Sequence, residues 1–333
     1  MKNRYVFIVA LLISLPFICG CSQEMAQEKT AAESSSLEKE PEDNEKKGLP
    51  QYAYTGKNPY IKAICQYFCK QAELEQEQYP DRKDSIYIPV PVIMKVEEKG
   101  KEIFIYGTFW DMWYTLEEHN LYCQSGGENT GRLKLVKQDE TFVVTEFEKI
   151  RDGGDYPEDW KKLCGEDQEL YERLFTKEER EDRREQIRGE QIRQYAIENG
   201  LSIETYQDYG WEAKKLPGIS GVTMKVEEES VTPTSLTLKF VNTTDLDIQY
   251  GDPYRLEKWE NGMWQPVPYQ LDSFGFHSVA YCPKKGQPQN MDVDWKLLYG
   301  ELEEGMYRIV KEIQDYRAPG DYDLYEMYAE FNL

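Results

Sequence analysis

The chain has 333 residues, 40% of them hydrophobic and 13% aromatic, which supplies enough apolar material for two packed cores. Its formal net charge is -22, and its Lys and Arg residues are interleaved with acids instead of forming a basic stripe. Such a charge repels nucleic acid and anionic head groups at long range, so nucleic acid is excluded as an expected partner.

The first residues read MKNRYVFIVALLISLPFICGC. Lys2 and Arg4 form a short positive start, and Tyr5 to Ile18 is an apolar run broken by Ser14 and Pro16. The run is too short and too abruptly ended for a comfortable spanning helix. Its end, Ile18-Cys19-Gly20-Cys21, resembles the lipobox of bacterial lipoproteins, although Cys19 stands where Ala, Ser or Thr is commoner. The resemblance implies that residues 1–20 are a lipoprotein signal peptide and that diacylglycerol is transferred to the Cys21 sulfur. Palmitate-type acyl chains would then hold Cys21 to the extracytoplasmic face of a cell membrane. Residues 21–50 are rich in Ser, Glu, Lys and Ala and read as a disordered tether with a span on the order of 30 Å.

Residues 51–212 are expected to form an α+β domain. Tyr60, Ile64, Tyr67 and Phe68 recur at helical spacing within Asn58–Gln78, with Asn58 as cap and Pro59 in the first turn. Ser85–Glu97 alternates as a strand, and Pro89 and Pro91 place it at an edge. Glu102–Leu116 is a long aromatic strand in which Gly107 marks a bulge. Strands follow at Gly131–Gln138 and Thr141–Lys149. One helix followed by a curved meander resembles the cystatin-like or nuclear-transport-factor-2-like fold, which implies a sheet used as a pocket or dimer surface. Trp110, Trp113, Tyr114 and Asp111 are candidates to line such a pocket, against the plainer reading of sheet-face aromatics.

Pro157–Cys164 predicts a short helix, and Glu169–Asn199 a long one closed by Gly200. The middle, KEEREDRREQIRGEQIRQ, is so charged that it is expected to stay solvated as a linker or a partner surface. The segment after it is expected to return to the sheet or lead into the next domain.

Residues 218–333 read as an all-β domain: short strands at Val222–Glu228, Ser235–Asn242, Asp247–Glu260, Met263–Pro268, Phe276–Cys282, Gln289–Asp294, Gly305–Gln314 and Glu326–Leu333. Asn261-Gly262 suits a type I′ hairpin. The stretches VTPTSLTLKFVNTTD, YGDPYRLEKWENGMWQPVP, VDWKLLYGELEEGMYRIVK and YAEF resemble the immunoglobulin-like domain of exported bacterial lipoproteins. The resemblance implies an Ig-like β-sandwich and an envelope location, without an activity. The same strand layout, with a short loop before the strand that opens at Gly305-Met306-Tyr307, also resembles the Ig-like domains of small bacterial proteinase inhibitors.

No catalytic signature is present. The two histidines, His119 and His277, fall in different domains and have no motif around them. No dinucleotide, P-loop, zinc-protease or EF-hand spacing occurs, so neither a cofactor nor a metal site is expected. Beyond Cys21, the mature chain holds Cys65, Cys69, Cys123, Cys164 and Cys282. A bridge from Cys65 or Cys69 to Cys123 or Cys164 and a set of buried thiols are both open, with Cys282 free. The leading reading is a non-enzymatic lipoprotein binding an envelope protein, peptide or wall polymer. The alternatives are an envelope protease inhibitor or sensor, acting through loops such as Phe274–Ser278, and an enzyme using Asp111.

Overall fold

A computed structural model describes residues 48–79, 82, 84–151 and 156–333. The expected signal peptide, Cys21 and all but the last three residues of the expected tether lie outside the described residues. Among the described residues no helix is long and apolar enough to cross a membrane.

The first helix, α1 (Pro59–Gln78), begins where its signals place it. The Asn58 side chain accepts the Tyr60 and Ile61 amides at 3.0 and 3.1 Å. Ile64, Cys65 and Phe68 face the sheet. That sheet has seven strands: β1 (Ile86–Tyr87), β2 (Val90–Lys99), β3 (Glu102–Glu117), β4 (Asn120–Gln138), β5 (Thr141–Lys149), β6 (Thr205–Asp208) and β7 (Lys214–Lys215). All neighbours run antiparallel except β4 and β6, which are parallel. β1 and β2 are one expected strand broken at Ile88-Pro89, and both pair only with β3. The alternation in β2 fails because both of its faces are covered: Val90 through Met94 are all buried.

The bulge expected at Gly107 lies across from it. Gly107 pairs with Ile93, where the β2 register shifts, and a Cβ at Gly107 would sit 2.3 Å from the Val92 carbonyl oxygen. β4 is far longer than expected, since Asn120–Thr130 continues the ladder with β3 despite its Gly, Ser and Asn content. Gly126 suits this place because a Cβ there would meet Met112 Sδ at 2.8 Å.

The short helix α2 (Tyr156–Cys164) precedes two helices where one was expected: α3 (Gln168–Phe175) and α4 (Lys177–Glu198). The break is at Thr176, extended at ψ 102, whose hydroxyl donates to the Glu172 carbonyl at 2.8 Å. Asp167 caps α3 through the Leu170 amide at 2.9 Å. Gly200 closes α4 at φ 61, as its position suggests. The returning segment supplies β6, which docks Thr205–Asp208 alongside Asn120–Cys123 of β4.

The carboxy-terminal part is strand-rich. β8 (Val222–Val226), β9 (Ser235–Asn242) and β13 (Gln289–Asp294) form one sheet. β10 (Ile248–Tyr250), β11 (Arg255–Glu260), β12 (Met263–Pro266), β14 (Met306–Ala318) and β15 (Asp321–Asn332) form the other, and the short helix α5 (Lys296–Tyr299) follows β13. Leu236, Leu238 and Phe240 of the first share a core with Leu256, Ile309, Ile313 and Phe331 of the second, around the fully buried Trp295. Asn261 and Gly262 take the positive φ values, 49° and 82°, of the expected hairpin turn.

Two strand expectations fail here. Asp247–Glu260 is split, because Gly251, Asp252 and Pro253 leave the ladder to accept hydrogen bonds from the Lys311 ammonium at 2.7, 3.3 and 3.0 Å. Lys311 is 1% exposed, and its burial pulls the ammonium down to about 8. Phe276–Cys282 is not a strand: only an isolated bridge joins Tyr281 to Tyr250.

Gly107→Ala is expected to cost about 1–3 kcal/mol, because the new methyl meets a strand backbone. Gly127→Ala, which meets nothing within 4 Å, is expected to be near neutral. Urea unfolding of both variants checks the contrast.

Candidate functional site

The charged helix α4 is the element on which both candidate sites are built. It does not lie out in water. Ile192, Tyr195 and Ala196 pack into a cluster with Ile86, Tyr114 and Leu121 of the sheet, and Arg180, Arg188, Gln191 and Arg193 are buried with them. Gly189 lets the helix approach closely, since a Cβ there would stand 3.1 Å from Pro217 Cδ.

Arg188 is the deepest of these charges, with its side chain 1% exposed. Its Nε donates to the Tyr114 hydroxyl at 2.6 Å, and its two terminal nitrogens donate to the Asp208 carboxylate at 2.7 and 3.0 Å. Its guanidinium also lies 4.7 Å from the Tyr206 ring centre. Burial works against the Asp208 carboxylate, yet Arg188 holds that carboxyl below its ordinary range. Glu185 extends the network to Arg184 at 2.8 Å and Lys214 at 2.5 Å. A hollow beside it is bordered by Trp211, which is 74% exposed.

On the opposite side, α4 faces the Ig-like part across a cleft of about 480 Å3. Arg183, Gln186, Ile187, Glu190, Gln194 and Ile197 recur at helical spacing along this wall. Arg183 bolts one end: its Nη2 donates to the Ile93 carbonyl at 2.6 Å and the Gly262 carbonyl at 2.7 Å. The facing wall carries Trp264 and Tyr328, whose ring centres lie 4.8 and 4.7 Å from the Arg308 guanidinium. Arg308 is itself paired with Glu257 at 2.5 Å.

The leading segment closes the other end of the cleft. The Tyr195 hydroxyl donates to the Pro50 carbonyl at 2.8 Å, and Tyr52 donates to Gln191. The Lys57 amide donates to Glu330 at 2.7 Å, and the Lys57 ammonium pairs with Glu228 at 2.7 Å. Glu190 on α4 and Glu330 on β15 both line the cleft, and Arg308 stands opposite Glu330 in the β14–β15 register. Burial lifts the Glu190 carboxyl to about 7, with Arg193 opposing and Glu330 reinforcing the shift. Burial raises Glu330 as well, opposed by the Lys57 amide.

The residues singled out from sequence are not brought together. Trp110 and Tyr114 face α4, where Arg184 lies 4.6 Å from the Trp110 ring centre. Trp113 faces the α1 side, 5.1 Å from the Tyr87 ring. Asp111 accepts from Tyr87 and Asn129, so both its oxygens have partners within the sheet; burial raises its carboxyl, opposed by these two bonds. These side chains are sheet aromatics and their polar partners, not the lining of one pocket. His119 Nδ1 lies 2.8 Å from the Ser202 carbonyl oxygen, and His277 lies 3.1 Å from Asp252; both are exposed. In the Phe274–Ser278 loop, Phe274 and Phe276 turn inward to pack on the core.

Cys65, Cys69, Cys123, Cys164 and Cys282 are free thiols, so the bridge weighed from sequence is not formed. Burial pushes Cys69 up to about 12 and Cys123 and Cys164 up to about 11, which keeps them protonated near neutral pH. The cleft itself was missed. Its sequence signal was the 183, 186, 190, 194, 197 stripe within a helix read as solvated.

Residues 218–332 match the family model of a bacterial Ig-like domain. No curated protein and no solved structure gives a significant match.

Arg188→Met is expected to cost about 3 kcal/mol, since it leaves Asp208 and the Tyr114 hydroxyl without their buried donor; denaturant titration measures it. For Glu190, a folded value near 7 against an ordinary 4.5 means that its contribution to stability is full below pH 4.5 and lost as pH rises to 7. The stability of Glu190→Gln relative to the parent should therefore rise by up to about 3 kcal/mol across that window. Thermal unfolding of both proteins at pH 4.5 and pH 7.5 checks the sign.

Proposed function

We propose that this chain is a lipid-anchored, extracytoplasmic, non-enzymatic binding module whose ligand enters the cleft between α4 and the Ig-like part. The observation that carries the reading is the cleft: a concave surface of about 480 Å3, in the range of small-ligand sites, walled by Trp264, Tyr328 and a run of polar side chains. The Ig-like family match supports a surface or interaction role. The lipobox-like Ile18-Cys19-Gly20-Cys21 supports the anchor and hence the membrane location. The α1 helix on its largely antiparallel sheet supports the cystatin-like or nuclear-transport-factor-2-like reading of the first region, and its partner would be an envelope protein, peptide or wall polymer.

Cys21→Ala is expected to abolish palmitate labelling and release the protein from the membrane fraction; retention of either overturns the anchor. A photo-crosslinker at Gln186, on the cleft rim, is expected to capture an envelope component that one at the remote, 74% exposed Leu297 does not. Equal capture at both positions, or none at Gln186, overturns the cleft as the binding surface.

A further inference from the structure

The turn between β6 and β7 holds two aromatic side chains out in water. Tyr209 is 93% exposed and Trp211 74%, more than any other aromatic side chain among the described residues. Neither ring packs on another ring or on a cation among those residues. The exposure is not looseness, because the backbone beneath the rings is pinned. The Trp211 amide donates to the Asp208 carbonyl at 3.0 Å, and Gly210 supplies the positive φ of 80°. The Gln207 side chain donates to the Trp211 carbonyl at 2.5 Å and accepts from Asn120 of β4 at 3.3 Å. An indole kept in water by a fixed backbone forgoes the favourable free energy of its burial.

Trp211 borders a hollow of about 490 Å3 between this turn and the first half of α4, within the size range of small-ligand sites. The hollow shares no lining residue with the cleft. Acidic and basic side chains line it in near-equal number, although the chain as a whole carries -22. The deep charges are settled within the chain: Arg188 on Asp208, and Glu185 on Arg184 and Lys214. What remains is of both kinds. Asp182 and Glu212 have no ion pair among the described residues and offer acceptors. Lys177, with its side chain 75% exposed, reaches Glu181 only at 3.5 Å, and Arg184 spends Nε and Nη2 on Glu185 but not Nη1. A cation would use the acceptors alone and an anion the donors alone. A hydroxyl group donates and accepts at once, so a ligand covered in hydroxyls uses both.

We propose that the hollow beside Trp211 is a saccharide site. An uncharged pyranose lays its C–H face on the indole of Trp211, and its hydroxyls bond to Asp182, Glu212, Lys177 and Arg184. Tyr209, in the same turn, gives a longer glycan a second ring to lie against. The free carboxylates of Asp182 and Glu212 beside the indole oppose an anionic lipid surface at this tip. The site is independent of the cleft and adds a second ligand contact on the other side of α4. Because the ligand is neutral, its binding is insensitive to salt.

Three neutral trisaccharides serve as probes: chitotriose, cellotriose and maltotriose, each titrated by calorimetry into the full mature chain. Sorbitol carries hydroxyls without a pyranose face, and tetramethylammonium carries charge without hydroxyls. At least one trisaccharide is expected to bind about tenfold or more tightly than either control, with its affinity changing less than about twofold between low and high salt. Trp211→Ala should weaken that binding about tenfold or more, and Trp211→Phe should retain part of it, with the thermal unfolding midpoint unmoved in both. Trp264→Ala, in the cleft, should leave it unchanged. Absence of binding by all three, tetramethylammonium binding as tightly as a trisaccharide, or unchanged trisaccharide affinity in Trp211→Ala overturns the saccharide site. Each of these results leaves the cleft standing, because capture at Gln186 is read on the other side of α4.

Discussion

A guanidinium buried in the middle of α4 is the constraint from which the rest of the arrangement follows. With its side chain 1% exposed, Arg188 is tolerable only where a carboxylate and a further acceptor meet it with correct geometry. Asp208 and Tyr114 supply them, and each depends on a separate part of the sheet. Asp208 is placed by β6, which adds in parallel to β4. Tyr114 is placed by β3, just past a register shift at Trp113. Once Arg188 is fixed inward, helical spacing turns Arg183, Gln186 and Glu190 toward the Ig-like part. The same helix thus closes one core and forms one wall of the cleft.

Local chemistry was readable wherever partners are close in sequence. The α1 boundary follows from Asn58 and Pro59, and the β11–β12 turn from Asn261-Gly262. Several strands of the Ig-like part follow from their alternation; β9 keeps a strict inward–outward pattern. The α3–α4 break also had a local signal, since Thr176 followed by Glu179 is a helix-start pattern within what otherwise reads as one charged helix.

What escaped was set by distant partners. A run such as KEEREDRREQIRGEQIRQ reads as solvated because its composition does not disclose that Asp208 and Tyr114 neutralise and cap Arg188. The Asn120–Thr130 stretch carries no strand pattern of its own, yet a full-length partner in β3 holds it extended. The split between β10 and β11 exists because a buried ammonium from β14 needs three carbonyls, and no pattern within Asp247–Glu260 announces that need. The cleft combines these failures, being bounded by elements far apart in the chain whose side chains are individually unremarkable.

The leading segment has a mechanical meaning. Before the chain enters α1 it is fastened to α4 through Pro50 and Tyr52, and to β15 through the Lys57 amide on Glu330. Force drawn along this segment from its amino-terminal side is met by those attachments together with Leu49, Tyr52 and Tyr54, which pack into the hydrophobic cluster beneath α4. The Glu330 attachment gives with a single hydrogen bond, far less than unzipping a strand. A pull that peels Lys57 away therefore also strips Glu330 of its backbone donor and Glu228 of its ammonium, both at the edge of the cleft.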